Sequence, residues 1–253
     1  MPKKVTPKQL FDRAIKELKE SGDPLRAEHN RSYFKKDEVI HSYGQDAPTM
    51  RRLAAGLFQE VRGDWGIGEA LEFCERMIAD RFIESRLVGM MVLANYRRQF
   101  DTVIFKRAEK WLADDRCDNW ALTDGLCSMI LMPMVLKDAK IVSKLRSWTV
   151  KRNLWLRRAS AVALTAAARR GLYLDDAYWI AGDLMKYPED LIHKANGWML
   201  RDAGKTDPSR LEIFLMEHRP RMPRTTLRYA IEKFPESKRR EILGRKKITK
   251  QTK

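Results

Sequence analysis

A basic residue opens an amphipathic run four times along this chain: at Arg86 (RLVGMMVLANY), Arg158 (RASAVALTAAA), Lys194 (KANGWMLRDAG) and Arg228 (RYAIEKF). The intervals are 72, 36 and 34 residues, and 72 is two units of 36. Each run follows a shorter helical segment and a turn. Stacked helical hairpins produce this pattern, because each repeat can bury its apolar face only against its neighbours. The period is slightly shorter than the roughly 40–47 residues of a HEAT unit, so the repeat is HEAT-like. A plain helical bundle with chance spacing is the competing architecture.

Helical punctuation fills the rest of the chain. Thr6-Pro7 places a cap before a proline at the first helical position, and Leu10, Ala14 and Leu18 follow at helical spacing. Asp23-Pro24 restarts the chain, Ala47-Pro48-Thr49 opens a helix to about Val61, and Gly63-Asp64-Trp65-Gly66 is a break. Beyond it the pattern predicts helices over 67–79, 82–99, 101–114, 119–132, 139–151, 153–171, 174–187, 190–204, 207–218 and 223–234. Pro133 is expected to end or kink its helix. No alternating run of β-branched and aromatic residues is long enough to demand a strand. The expected fold is all-α: HEAT-like helical hairpins stacked into a curved solenoid with a basic concave face. One domain is expected over 1–237, followed by a flexible basic tail over 238–253.

Hydrophobic residues make up 44% of the chain and charged residues 33%, the balance of a folded globular protein. No stretch of 18 uncharged apolar residues occurs, so no membrane span is expected. The N-terminus lacks the apolar core of a secretory signal, which makes the cytoplasm the expected location, with the nucleoid as place of use. Cys74, Cys117 and Cys127 form an odd set without CxxC spacing, and His29, His41, His193 and His218 are scattered. Neither a disulfide framework nor a metal site is expected, and no cofactor. The net charge of +16, from 50 Lys plus Arg against 34 Asp plus Glu, favours a polyanionic partner such as nucleic acid. Part of that excess lies in Lys238-Arg239-Arg240, Arg245-Lys246-Lys247, Lys250 and Lys253.

The repeat missing from the series should centre on residue 122, 36 beyond Arg86. There the sequence reads Cys-Asp-Asn-Trp-Ala-Leu-Thr-Asp-Gly-Leu-Cys-Ser over 117–128. Asp118 or Asn119 can cap a helix in which Trp120 and Asp124 lie one turn apart on the same face. Leu122 and Leu126 flank the carboxylate, and Gly125 should leave the local surface open. An anion in apolar surroundings needs a cationic or hydrogen-bonding partner. In a solenoid, Asp124, Arg158 and Trp198 would come from consecutive repeats and face one groove, with Lys194, Arg157 and Arg201 adding positive charge.

A basic groove fits a DNA duplex, and its aromatic side chains can pack against sugar or base faces. A carboxylate in such a groove is repelled by DNA, so it needs a chemical reason. Cleavage of an N-glycosidic bond gives the sugar oxocarbenium character, which a nearby anion stabilises. The same group can orient the attacking water. One carboxylate suffices if the departing base is already cationic, as an alkylated purine is, because such a base leaves without a general acid. Each residue also has a plainer role: Trp120 and Trp198 as core tryptophans, Arg158 as a structural ion-pair partner, Tyr33 as a packing residue, Asp124 as a buried hydrogen-bonded acid. Trp111, Trp148 and Trp155 are assigned to packing.

Four segments in order carry a resemblance that covers about residues 20–235. They are Arg31-Ser32-Tyr33-Phe34-Lys35, Asn119-Trp120-Ala121-Leu122-Thr123-Asp124, Trp155-Leu156-Arg157-Arg158-Ala159 and Lys194-Ala195-Asn196-Gly197-Trp198-Met199-Leu200-Arg201. The chain resembles the AlkD-like family of DNA alkylation repair glycosylases, which are built of HEAT-like repeats. The resemblance implies that Asp124 is the catalytic carboxylate and that Trp120 and Trp198 pack on the sugar–phosphate backbone at the lesion. It implies a backbone-phosphate contact from Arg158, with Arg157 as the other register, and an aromatic near the lesion in Tyr33. The implied substrate is duplex DNA carrying cationic N3- or N7-alkylpurines, acted on by a monomer without cofactor. The lesion would stay in the duplex rather than be extruded into a pocket. Asn119 departs from the family, whose members carry a second tryptophan there, and the basic tail is an addition. A HEAT-like DNA or RNA binder without chemistry and a protein–protein scaffold are the alternatives. Asp124 argues against the first and the basicity against the second.

Overall fold

The protein, described here from a computed structural model over residues 4–244, is all-α; among the described residues no strand forms, and an isolated bridge joins His41 to Phe82. Its helices gather into two compact units, Met1–Met134 and Val135–Lys253.

The first unit holds α1 (Pro7–Glu20), α2 (Pro24–Arg31), α3 (Ala47–Val61), α4 (Ile67–Ala79), α5 (Ile83–Ala94), α6 (Thr102–Ala113) and α7 (Trp120–Leu126). Side-chain caps start these helices where the sequence offers them. Thr6 and Gln9 form a reciprocal capping box ahead of α1, and Asp46, Asp101 and Asn119 accept from the first turns of α3, α6 and α7. Leu10, Ala14 and Leu18 are buried, as their spacing predicts. Helix α5 packs against α3, α4 and α7. Between α2 and α3 the chain is pinned by Glu84, a fully buried acid of α5. It accepts from the Ser42 hydroxyl and from the amides of Tyr43 at 3.0 Å, Gly44 at 3.1 Å and Gln45 at 3.3 Å. These donors offset the cost of taking a carboxyl group out of water.

Two helices that begin in this unit differ from expectation. The segment expected as one helix over 82–99 stops at Ala94, where the Asn95 side chain donates to the carbonyls of Met91 and Val92, and a 3₁₀ turn, Arg97–Gln99, follows. The helix expected over 119–132 runs on to Lys137 as α8 (Met132–Lys137). Pro133 does not end it. The missing N–H is accommodated by a π turn over Cys127–Leu131 immediately before, which shifts the hydrogen-bond register. The run Trp120–Lys137 reaches a mean hydropathy of 1.2 over 18 residues, long and apolar enough by length and composition to cross a membrane. It also contains Asp124 and Lys137, and 44% of it is buried by the rest of the fold, as in the core helix of a globular protein.

The second unit contains α9 (Lys140–Trp148), α10 (Leu154–Val162), α11 (Thr165–Ala168), α12 (Leu174–Leu184), α13 (Asp190–Ala203), α14 (Pro208–His218), α15 (Arg224–Ala230) and α16 (Glu236–Leu243). The helix expected over 153–171 is divided at Ala163-Leu164, where the Thr165 hydroxyl donates to the Val162 carbonyl at 2.8 Å and competes for a helical acceptor. Helix α13 lies between α10 and α15 and also packs on α12. Arg158, Lys194 and Arg228 therefore sit on three helices that neighbour one another in series, as their spacing predicts. In the first unit, Arg86 on α5 and residue 122 on α7 share the same relation. The basic tail expected from residue 238 is helical as far as Leu243. Lys238 pairs with Glu212 at 2.7 Å and Glu241 at 3.1 Å, and Ile242 is buried. The remaining basic residues of that segment, Arg245 onward, lie outside the described residues.

Candidate functional site

In the first unit the candidate site is built on α7. Asn119 is buried as its N-cap, its Oδ1 accepting from the Leu122 amide at 3.0 Å. The preceding loop is fixed from α5: Arg86 donates to the Asp80 carbonyl at 2.6 Å and the Arg116 carbonyl at 3.1 Å, and pairs with Asp118 at 2.9 Å. A cleft of about 300 Å³, whose lining includes His41, Arg81, Arg86 and Asn119, opens alongside. This frame places Trp120 and Asp124, both half-buried, one turn apart on the same side of α7, while Leu122 and Leu126 enter the core. Gly125 does not open the surface as expected. A β-carbon there would stand 2.7 Å from Leu87 Cδ2, so the glycine admits a side chain of α5.

One aromatic escaped the sequence reasoning. Phe34 stacks on Trp120, with ring centroids 5.4 Å apart and planes inclined by 27°. Its neighbour Tyr33 is 63% exposed and meets His29 edge-on, with a 3.1 Å hydrogen bond between the hydroxyl and His29 Nε2. Three thiols are buried in this unit; burial pushes Cys117 up to about 12 and Cys74 well above its usual range, so neither is a thiolate nucleophile at neutral pH. Among the described residues, no three His, Cys, Asp or Glu side chains gather in the manner of a metal site.

In the second unit the expected cations lie on α10 and α13, and each is engaged by the protein itself. Arg157 is buried, pairs with Glu189 at 2.5 Å and lies 4.1 Å over the Tyr187 ring, so its charge is met internally. Arg158, also buried, donates through Nη1 to the Leu191 carbonyl at 2.6 Å, which fixes its guanidinium at the start of α13. Lys194 pairs with Asp190 at 2.8 Å; that bond raises its pKa, and the positive charge of Arg158 nearby opposes the rise. Arg201 pairs with Glu232. Trp198 is half-buried and donates its indole N–H to Asp202 Oδ2 at 3.1 Å. Trp111 and Trp148 are core residues, as expected, and Trp155 is half-buried.

The spacing Trp-x-x-x-Asp occurs four times, at Trp111/Asp115, Trp120/Asp124, Trp179/Asp183 and Trp198/Asp202. In the two segments that carry the resemblance, the structure separates Asp124 from Asp202. Asp202 is fully inaccessible, whereas Asp124 retains solvent exposure beside its tryptophan. Of these two acids, Asp124 is the more exposed.

No curated protein sequence matches the chain. One solved structure similar to it, described as a predicted DNA alkylation repair enzyme from Enterococcus faecalis, has a TM-score of 0.72 and 18% sequence identity. The match covers 85% of this chain and 97% of that one, a likeness of fold. The family model described as DNA alkylation repair enzyme matches residues 14–234, across both units. The chain belongs to the DNA alkylation repair enzyme family.

Proposed function

We propose that this protein is a DNA glycosylase that hydrolyses the N-glycosidic bond of cationic N3- and N7-alkylpurines in duplex DNA. The observation that carries this reading is the placement of a half-buried acid, Asp124, and the indole of Trp120 one turn apart on one side of α7, in a chain of net charge +16. As the bond between the base nitrogen and C1′ breaks, its electron pair goes to the purine and quenches that ring's positive charge. The sugar takes up oxocarbenium character, and the Asp124 carboxylate stabilises it. Water adds to C1′ and releases a proton to solvent, which carries off the positive charge of the substrate, and the products are the neutral free base and an abasic site. Asp124 holds that water as an acceptor.

Trp120 and Trp198 pack on the sugar–phosphate backbone at the lesion, and Tyr33 lies near it. Arg158, Lys194 and Arg201 supply charge for the phosphates; Arg157, committed to Glu189, acts on the backbone less directly. The HEAT-like register of α5, α7, α10, α13 and α15 is taken as a curved solenoid with its basic face to DNA, forming one glycosylase domain that works as a monomer, without cofactor and without base extrusion.

The test is a duplex carrying a single N7-methylguanine, incubated with purified protein. Free 7-methylguanine and an alkali-labile abasic site are expected. DNA that is bound without base release would favour a HEAT-like binding protein instead. Binding should weaken linearly in log–log form with salt, the mark of phosphate contacts.

A further inference from the structure

Asp202 stands one turn after Trp198 on α13 and is fully buried. Trp198 Nε1 donates to its Oδ2 at 3.1 Å, Arg169 Nη2 donates to the same oxygen at 2.8 Å, and Lys205 Nζ lies 2.6 Å from Oδ1. The site is an expensive place for an anion. It is screened from water, and it falls in the last turn of a 14-residue helix, where the terminal carbonyls repel negative charge. Burial pushes the Asp202 carboxyl up, but the Arg169 hydrogen bond and the Lys205 ion pair outweigh it and hold the group below its usual range. Two cations thus keep one buried acid ionised.

A tie between α11 and α13 would require only the Arg169 pair. The oxygen that meets Arg169 is also the one that accepts the indole N–H, and an ionised oxygen is a stronger acceptor than a neutral one. A half-buried tryptophan held by packing alone has a broad choice of ring orientation about its second side-chain torsion. A bond at Nε1 removes that choice. We infer that Asp202 is a positioning residue: held charged by Arg169 and Lys205, it locks the indole plane of Trp198 in the orientation that meets the backbone of damaged DNA. This rests on the role proposed above for Trp198, and it adds an electrostatic support for it in a fully buried acid.

A double-mutant cycle tests the inference, with Asp202→Ala and Trp198→Phe made singly and together. Phenylalanine keeps an aromatic face but has no N–H to orient. Single-turnover release of N7-methylguanine and affinity for the methylated duplex are both measured. With Trp198 present, Asp202→Ala is expected to slow release about tenfold, and in the Trp198→Phe background by less than about twofold. Asp202→Asn, which keeps an oxygen acceptor and is the milder change should Asp202→Ala not fold, is expected to fall between wild type and Asp202→Ala. In the Trp198→Phe background it too should have little further effect. Equal losses in both backgrounds would make Asp202 a structural tie only and overturn the inference. If wild type binds the duplex but releases no base, the glycosylase reading fails. The same cycle in binding affinity then decides for Asp202 by coupled losses or against it by additive ones. The indole proton of Trp198, identified by its disappearance in Trp198→Phe, should exchange slowly with solvent in wild type and faster in Asp202→Ala.

Discussion

Phe34 lies against the face of Trp120, with centroids 5.4 Å apart and planes 27° from parallel, so the segment after α2 braces the indole that stands one turn from Asp124. Offset aromatic stacking of this kind contributes about 0.5–1.5 kcal/mol beyond area burial. Phe34→Ala is expected to slow base release about three- to tenfold in single-turnover assays, the size of that term expressed as a rate. The loss should be much smaller when Trp120 is already alanine. A lowered melting temperature with unchanged release below it would make Phe34 a packing residue alone.

Helices α13 and α15 approach each other at Gly197. A β-carbon there would stand 2.5 Å from Tyr229 Cβ and 2.6 Å from the Thr226 carbonyl oxygen, and the backbone cannot swing away as a flexible side chain does. Gly197→Ala is expected to destabilise the protein by about 1–3 kcal/mol, the usual cost of overpacking. Denaturant unfolding checks this, and an unchanged midpoint would contradict the close approach.

Much of this was legible in the sequence because the signals were local or periodic. The caps at Thr6 and Asn119 start helices where they stand, and the 36-residue period sets α5 beside α7 in the first unit and α10, α13 and α15 in series in the second. Boundaries failed where a side chain redirected the backbone at short range, at Asn95 and Thr165, or where a π turn absorbed Pro133. In the site, helical spacing alone joined Trp120 to Asp124. The stacking of Phe34 on Trp120 spans 86 residues and has no periodic trace; the only hint was an aromatic beside Tyr33 in a polar stretch. Asp202 repeats the Trp-x-x-x-Asp spacing, and only burial shows that the two acids differ.

Asp46 caps α3 and is held at about 2, chiefly by hydrogen bonding from the Thr49 side chain and amide, with Arg26 adding to the effect. A folded-state value below the unfolded one, about 3.9, means that the charged form stabilises the fold. That contribution is complete above the ordinary carboxylate range and is lost as pH falls from there through about 2. A carboxyl-carbon NMR titration should give a midpoint near 2 for Asp46, and Asp46→Asn should flatten this part of the acid unfolding curve. A midpoint in the ordinary range would contradict the cap.

The central claim concerns the chemistry of Asp124, and single-turnover excision of N7-methylguanine from duplex DNA by wild type and Asp124→Asn tests it most directly. Asparagine preserves the shape of the side chain and removes its charge. The predicted result is release by the wild-type protein and a rate at least about tenfold lower in the variant, about 1.4 kcal/mol of transition-state stabilisation, with DNA binding retained. Equal rates in the two proteins would contradict a catalytic role for Asp124.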